Sequence, residues 1–393
     1  MRVTASGVKG GRAGCGARWH GQSRAGTRRH ARNAKPCASG AGKSAATFTL
    51  TLRRRRRGGR LQVAQSEAVQ TDSEAYWRSL GRKTALVTGA AGGVGFALAD
   101  ALAKRGFSVV ICDIDEGRIR AAEEALNALY GSGSAYATVC DVGDSSSVDS
   151  LASFAQDKLG DVDIWINNAG RNGGKIPLWE QTPENLAGVV GCNLMGVLLC
   201  TRAAINVMKV QKNGRRAHIF NVTGSGVKGE ATPGWSAYGA TKRGMPQFTQ
   251  SILKEMDKYG GVENVSLHTM SPGMVFTDML LSDATPNERK FFDILADEPE
   301  QVGEELIEKV LPIAATTDTG ANIQYLDTPR ILQRILSVDL LKFLAGLAFP
   351  QLKLAPGKRI DADGNRIRRE GEEYRKNGVK VLFKGMEERK SGL

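Results

Sequence analysis

Six short runs rich in Val and Ile, separated by stretches with helical spacing of apolar residues, constrain this chain more than any other feature. They are TALVT (84–88), FSVVIC (107–112), YATVC (136–140), VDIWIN (162–167), AHIFNV (217–222) and VSLHTM (265–270). Runs that are apolar on both faces belong to strands covered on both sides, and strands that alternate with helices pair in parallel. Segments such as GVGFALADALAKRG and SVDSLASFAQDKLG have the amphipathic period of the covering helices. The expected fold is a single α/β domain over residues 80–330, a doubly wound, Rossmann-type parallel sheet.

The flanks read differently. Residues 1–66 hold 16 of the 54 Lys and Arg and no Asp or Glu, whereas 67–393 hold 38 basic against 41 acidic residues, a net charge of −3. The overall charge of +13 therefore comes from a leader rich in Gly, Ala, Arg and Ser, which cannot bury enough apolar surface to fold. Such a composition fits an organelle transit peptide over residues 1–66, cut near the end of RRRRRGGRLQVAQ. The alternative is a basic arm that stays attached and binds polyanions. The mildly acidic body argues against nucleic acid as a partner. The leader's CASGAGKS imitates a phosphate-binding loop, but Cys37 stands where the first Gly is needed and no strand pattern precedes it.

At the other end, 331–393 form an extension. ILSVDLLKFLAGLAF (335–349) is apolar apart from Asp339 and Lys342, and a charged tail follows. The apolar part suits a helix packed on the core, an interfacial membrane helix or the wall of a ligand pocket. No run of about 20 uninterrupted apolar residues occurs, so no membrane span is expected. The cysteines, Cys15, Cys37, Cys112, Cys140, Cys192 and Cys200, show no metal-ligand spacing with histidine, and the four in the body read as buried free thiols.

Chemistry enters at the ends of the strands. The first strand runs into TGAAGGVG (88–95), where Gly89, Gly93, Val94 and Gly95 can turn tightly and bring backbone N–H groups to a pyrophosphate at a helix N-terminus. Asp113 follows the second strand, 18 residues beyond Gly95, where a carboxylate can accept from ribose hydroxyls. Asp141 and Val142 follow the third strand, at the expected place of an adenine. Either Asp alone could equally be a helix N-cap. NNAG (167–170) supplies Asn168, Ala169 and Gly170 after the fourth strand, and Asn193, Ser225, Tyr238 and Lys242 come later. A tyrosine is a poor acid–base at neutral pH, and a lysine one helical turn away favours its phenolate.

These features, in this order and with Tyr238 13 positions after Ser225, resemble the short-chain dehydrogenase/reductase superfamily. The resemblance implies that Tyr238 protonates the alkoxide left by hydride transfer and that Lys242 also holds the nicotinamide ribose. It implies that Ser225 hydrogen-bonds the substrate oxygen and that Asn193 anchors a water in the proton relay. SPGMVFT (271–277) resembles the family's Pro-Gly segment, which adds Pro272, Gly273 and Thr277 to the cofactor set.

More narrowly, IWINNAG, NLMGVLLCTRAAINVM, HIFN, YGATK, SILKE, LHTMSPGMVFTDMLL and YLDTPRIL resemble the chlorophyll(ide) b reductase group over residues 83–345. That group reduces the C7-formyl group of the pigment to hydroxymethyl. The resemblance implies a chloroplast location, in the stroma or peripheral to the thylakoid, and a tetrapyrrole substrate. It leaves open a homo-oligomer or a complex with a related reductase. The cofactor is NADPH or NADH: the family usually carries a basic or hydroxyl residue after the second strand, and Asp113 here would repel a 2′-phosphate. A general carbonyl reductase acting on a lipid, sterol or quinone, and a non-catalytic scaffold of the same fold, are the alternatives.

Overall fold

The computed structural model describes residues 73–327, together with Pro329 and Ile331. The transit-peptide reading of 1–66, the apolar run 335–349 and the charged tail lie outside the described residues.

All six expected strands form: β1 (Thr84–Thr88), β2 (Ser108–Asp113), β3 (Ala135–Val139), β4 (Ile164–Asn167), β5 (Ala217–Val222) and β6 (Val265–Ser271). A seventh, β7 (Asn322–Gln324), extends the edge, and the order β3-β2-β1-β4-β5-β6-β7 is parallel throughout. This is the expected doubly wound, Rossmann-type sheet. Its strand order reverses between β1 and β4, and such a switch point leaves a crevice at the carboxyl ends of the strands.

Residues 73–79 form a helix, α1. The domain therefore begins before residue 80. Trp77 anchors α1 in the core: its ring packs on Phe107 and its indole N–H donates to the Leu311 carbonyl at 2.9 Å. The helices α2 (Gly93–Lys104), α3 (Glu116–Tyr130) and α10 (Pro299–Ala314) bury their apolar stripes on one face of the sheet. On the other lie α4 (Ser145–Leu159), α6 (Gly196–Met208) and α7 (Ser236–Tyr259). Between these elements come α5 (Pro183–Val190), α8 (Asp278–Leu281) and α9 (Pro286–Leu295). With α6 and the π turn between them, α5 makes one helix, Pro183–Met208, long and apolar enough by composition to cross a membrane. In the fold its face bearing Val197, Cys200, Ala204 and Met208 is core.

Between β5 and β6 lie two fully buried histidines. His218 and His268 stack, with 3.0 Å between His218 Nδ1 and His268 Nε2. The Ala321 N–H points at His268 Nδ1, so His268 carries its proton on Nε2 and donates to His218. Burial, with smaller contributions from His268 and Arg216, brings His218 down to about 3; burial, helped by Arg216 and opposed by Asp318, brings His268 down to about 4. An unfolded chain takes up protons near pH 6.5 that the native pair refuses. Stability is therefore fully present above about pH 6.5 and is lost as pH falls toward the folded values of about 4 and 3. The thermal midpoint should drop between about pH 7 and 5, above the carboxylate range. A His218→Leu/His268→Leu double variant should flatten that slope.

Candidate active site

A cleft of about 660 Å³ opens at the switch point. Its floor is the turn from β1 into α2, where glycine is required by space. A Cβ on Gly95 would lie 2.1 Å from the Gly89 carbonyl oxygen, and Gly89 itself has φ +64. Asn168 latches the turn: its side-chain amide donates to the Thr88 and Gly89 carbonyls at 3.0 Å each, and the Asn168 and Ala169 N–H groups donate to Thr88 Oγ1. Helix α2 starts at Gly92 with no side-chain cap and no acid in its first turn, so its leading N–H groups face the cleft unclaimed by a side chain. A pyrophosphate fits this end of the helix. The other expected cofactor positions Val94, Asp141, Val142, Gly170, Pro272 and Thr277 line the cleft as well, whereas Gly273 packs on Leu326 behind it.

At the adenosine end the charges are mixed. Asp113 reaches the cleft from the end of β2, and its carboxylate accepts from the N–H groups of Ala91 at 3.3 Å and Asp115 at 3.2 Å. Arg118, in the first turn of α3, lies across Gly92; its guanidinium sits 2.7 Å from where a Cβ on Gly92 would be, and its buried Nε has no hydrogen-bond partner among the described residues. Two ribose hydroxyls fit Asp113, and the arginine offers a donor for a further group.

At the opposite end stand Tyr238 and Lys242, one turn apart on α7. A Cβ on Gly224 would lie 2.2 Å from the Tyr238 hydroxyl, so a side chain there would displace the hydroxyl. Lys242 is 4% exposed; its ammonium lies 5.6 Å from the Tyr238 ring centre and donates to the Val222 carbonyl at 3.2 Å. Burial pushes the Tyr238 phenol up to about 12 and the Lys242 ammonium down to about 8; the neighbouring Cys192 thiol acts in the opposite sense on Lys242. At neutral pH the pair is a neutral phenol beside a cation, a proton donor next to the charge that can stabilise its phenolate.

Asn193 is fully buried in the π turn Gly191–Met195, where the Gly196 N–H reaches back to the Gly191 carbonyl. Its carboxamide accepts from the Arg171 N–H at 2.9 Å and donates to the Arg171 carbonyl at 2.8 Å. Its amide also donates to Thr241 Oγ1 on α7 at 3.4 Å, so Asn193 ties the chain that follows NNAG to the helix of Tyr238 and Lys242. Ser225 is exposed in the turn after β5 and is not among the residues that line the cleft. Thr223, which the spacing to Tyr238 does not single out, does line it, with its hydroxyl donating to the Met270 carbonyl at 3.2 Å. Met279 borders the cleft, and the Asn172 side-chain amide donates to its carbonyl at 2.8 Å; farther along the chain Leu178 and Trp179, in the short 3-10 turn Leu178–Glu180, are exposed, Trp179 to 85%.

Residues 83–287 match the family model for short chain dehydrogenase. Among curated proteins, the chain is 42% identical over 230 residues to chlorophyll(ide) b reductase NOL, chloroplastic, of Oryza sativa subsp. japonica, covering 58% of this chain and 66% of that one. It is 37% identical over 268 residues to probable chlorophyll(ide) b reductase NYC1, chloroplastic, of the same organism, covering 64% and 51%. The chain thus spans between half and two thirds of the length of these relatives. Among solved structures, a 3-ketoacyl-(acyl-carrier-protein) reductase from Brucella melitensis complexed with NADH superposes with a TM-score of 0.54 at 27% identity, over 63% of this chain and 98% of that one. With the family model covering more than half of its length and the sheet order and glycine turn in agreement, the chain belongs to the short chain dehydrogenase family.

Proposed function

We propose that the protein is an NAD(P)H-dependent reductase that converts the C7-formyl group of chlorophyll(ide) b to hydroxymethyl in the chloroplast. The observation that carries the chemistry is the pairing of half-buried Tyr238 with buried Lys242 at one end of a dinucleotide-sized cleft. Similarity to relatives named for this reaction supports the substrate. The chloroplast location rests on those relatives, and the choice between stroma and the thylakoid surface is part of the proposal.

The reduced nicotinamide supplies hydride to the formyl carbon; the chain supplies the rest. The leading N–H groups of α2 would hold the pyrophosphate, Asp113 the adenosine ribose, and Lys242 the nicotinamide ribose. Tyr238 hydrogen-bonds the formyl oxygen and gives up its proton as charge develops there. Lys242 stabilises the phenolate that remains. Asn193 is a positioning residue that keeps Arg171 in place through two hydrogen bonds. Ser225 would donate to the substrate oxygen from the exposed turn after β5, outside the cleft lining, and Thr223 lines the cleft two residues before it. Purified protein incubated with chlorophyllide b and reduced nicotinamide should yield the hydroxymethyl pigment. Reduction of lipid, sterol or quinone carbonyls with no turnover of the pigment would favour the general reductase instead.

The cofactor preference follows from Asp113. NADH should bind at least as tightly as NADPH, because a 2′-phosphate would stand against this carboxylate. Dissociation constants for both decide it. NADPH binding tenfold tighter, about 1.4 kcal/mol, would mean that Arg118 rather than Asp113 governs this end of the cleft.

A further inference from the structure

The chain between β6 and α10 builds a small lobe beside the Tyr238 end of the cleft. Phe276, Phe292 and Ala296 are buried together, with Leu281, Ala284 and Phe291 packed on them, apart from the two clusters that cover the sheet. The lobe is pinned at its base. The Phe276 N–H donates to the Asp297 carbonyl at 2.9 Å, and the Asp297 N–H donates to the Met274 carbonyl at 3.2 Å. The Tyr325 hydroxyl donates to the Asp297 carboxylate at 2.7 Å. Within the lobe, Arg289 donates to the Leu281 and Ala284 carbonyls and so ties α9 to α8. A segment with a core of its own and one pinned base can shift as a unit.

The outer part of the lobe is joined to the loop that follows NNAG. Asn172 donates to the Met279 carbonyl, and the Lys175 ammonium pairs with the Glu288 carboxylate. Both members of the ion pair are held in place. A Cβ on Gly234 would lie 2.8 Å from Lys175 Cγ, and the Lys175 ammonium lies 5.6 Å from the centre of the Trp235 ring. The Ile176 N–H donates to the Gly234 carbonyl at 3.1 Å. Gly234 and Trp235 lead directly into α7, which carries Tyr238 in its first turn. Glu288 belongs to the capping box of α9, where its carboxylate accepts from the Thr285 N–H at 2.9 Å. One lysine therefore joins the chain after NNAG, the entry to the helix of Tyr238, and the lobe.

We propose that the Lys175–Glu288 ion pair is a clasp that fixes the lobe at the substrate end of the cleft, which makes both side chains positioning residues for the substrate and not for the cofactor. The lobe's Met279 lines the cleft, so the stance of the lobe sets the room left for a substrate. Thr277, the expected cofactor contact, stays at the pinned base, where its N–H donates to the Val275 carbonyl at 2.8 Å. The hydrogen bond from Lys175, followed by that from the Thr285 N–H, holds the Glu288 carboxyl down to about 2, so the pair is ionised throughout the neutral range. Its side chains are 32% and 37% exposed, which leaves them open to screening by salt. The kinetic consequence rests on the reductase reading above, whereas the hold on the lobe does not.

The test compares Lys175→Met, Lys175→Arg and Glu288→Gln with the wild-type full chain. Methionine keeps an apolar stem against Gly234, and glutamine keeps the hydrogen bond of the capping box, so each removes mainly the charge. Hydrogen exchange over 278–295 should quicken several-fold in Lys175→Met and Glu288→Gln, with the strands β1 and β4 to β6 unchanged, and should stay at the wild-type rate in Lys175→Arg. The KM for chlorophyllide b should rise about threefold in the two charge-removing variants, the scale an exposed ion pair can supply. Their kcat should change less, and NADH affinity should not change. Added potassium chloride should raise the wild-type KM towards the value of Lys175→Met and leave that variant unmoved. The double variant should cost no more than either single one. Unchanged exchange over 278–295, faster exchange throughout the sheet, lost NADH affinity, or an unchanged KM for a pigment that is turned over would each overturn the proposal. If the wild-type protein does not reduce the pigment, the reductase reading fails, and the exchange over 278–295 still decides whether the clasp exists.

Discussion

Replacing Tyr238 with Phe should lower pigment turnover by about 10³-fold while leaving the fold and cofactor affinity nearly intact. The substitution removes one oxygen and keeps the ring beside Gly224 and Lys242. Without the phenol the oxygen that receives charge loses both its hydrogen-bond donor and its proton source. The loss should appear in kcat and kcat/KM together, because the interaction strengthens in the transition state. Turnover above about a tenth of the wild-type value, with chemistry rate-limiting, would remove Tyr238 from the reaction and revive the scaffold reading. A circular dichroism spectrum and an NADH titration on the same sample separate lost chemistry from lost structure.

Lys242→Met should do more than slow the reaction. The variant keeps an apolar stem of similar length in a buried slot but removes the charge. Turnover should fall by about 10²-fold, and the cofactor dissociation constant should rise by about tenfold, since one ammonium serves both tyrosine and ribose. The wild-type pH profile carries the same signature. Lys242, pushed down to about 8 by burial, is charged below that pH and loses its charge as pH rises through it. Reductive turnover should therefore fall on the alkaline side of about pH 8, well before the Tyr238 phenol at about 12 could lose its own proton. In Lys242→Met that limb should vanish along with most of the rate. Loss of turnover with unchanged cofactor affinity would assign the lysine to the tyrosine alone.

Why some of this can be read from residues in line, and some cannot, is a matter of range. The six strands announce themselves because a strand covered on both faces must be apolar along its whole length, and TALVT and AHIFNV form with the expected ends. The glycine turn is equally local: Gly89 and Gly95 touch each other across a few residues. Tyr238 and Lys242 share a helix, so their spacing states their proximity. β7 escapes notice because it is three residues long and mostly polar, and it pairs only after the chain has crossed α10. α1 escapes because its single deep anchor, Trp77, packs against Phe107 and Leu311, far away in sequence.

At the site the same division holds. Asn193 carries the expected residue type, but its hydrogen bonds to Arg171 depend on a π turn that no periodicity encodes. The 13-residue spacing draws attention to Ser225, whereas the structure exposes it and turns Thr223 to the cleft. Arg118 is legible as a basic group near Asp113, but that it lies across Gly92, where a side chain would meet its guanidinium, is visible only in the fold.

The most direct measurement follows the hydride itself. Wild-type protein, chlorophyllide b and NADH carrying deuterium at both C4 positions should give hydroxymethyl pigment with one deuterium on the new carbinol carbon, and Tyr238→Phe should give almost none in the same time. Unlabelled hydroxymethyl product, or no pigment product from folded wild-type protein that binds NADH, would contradict reduction of the formyl group at this site.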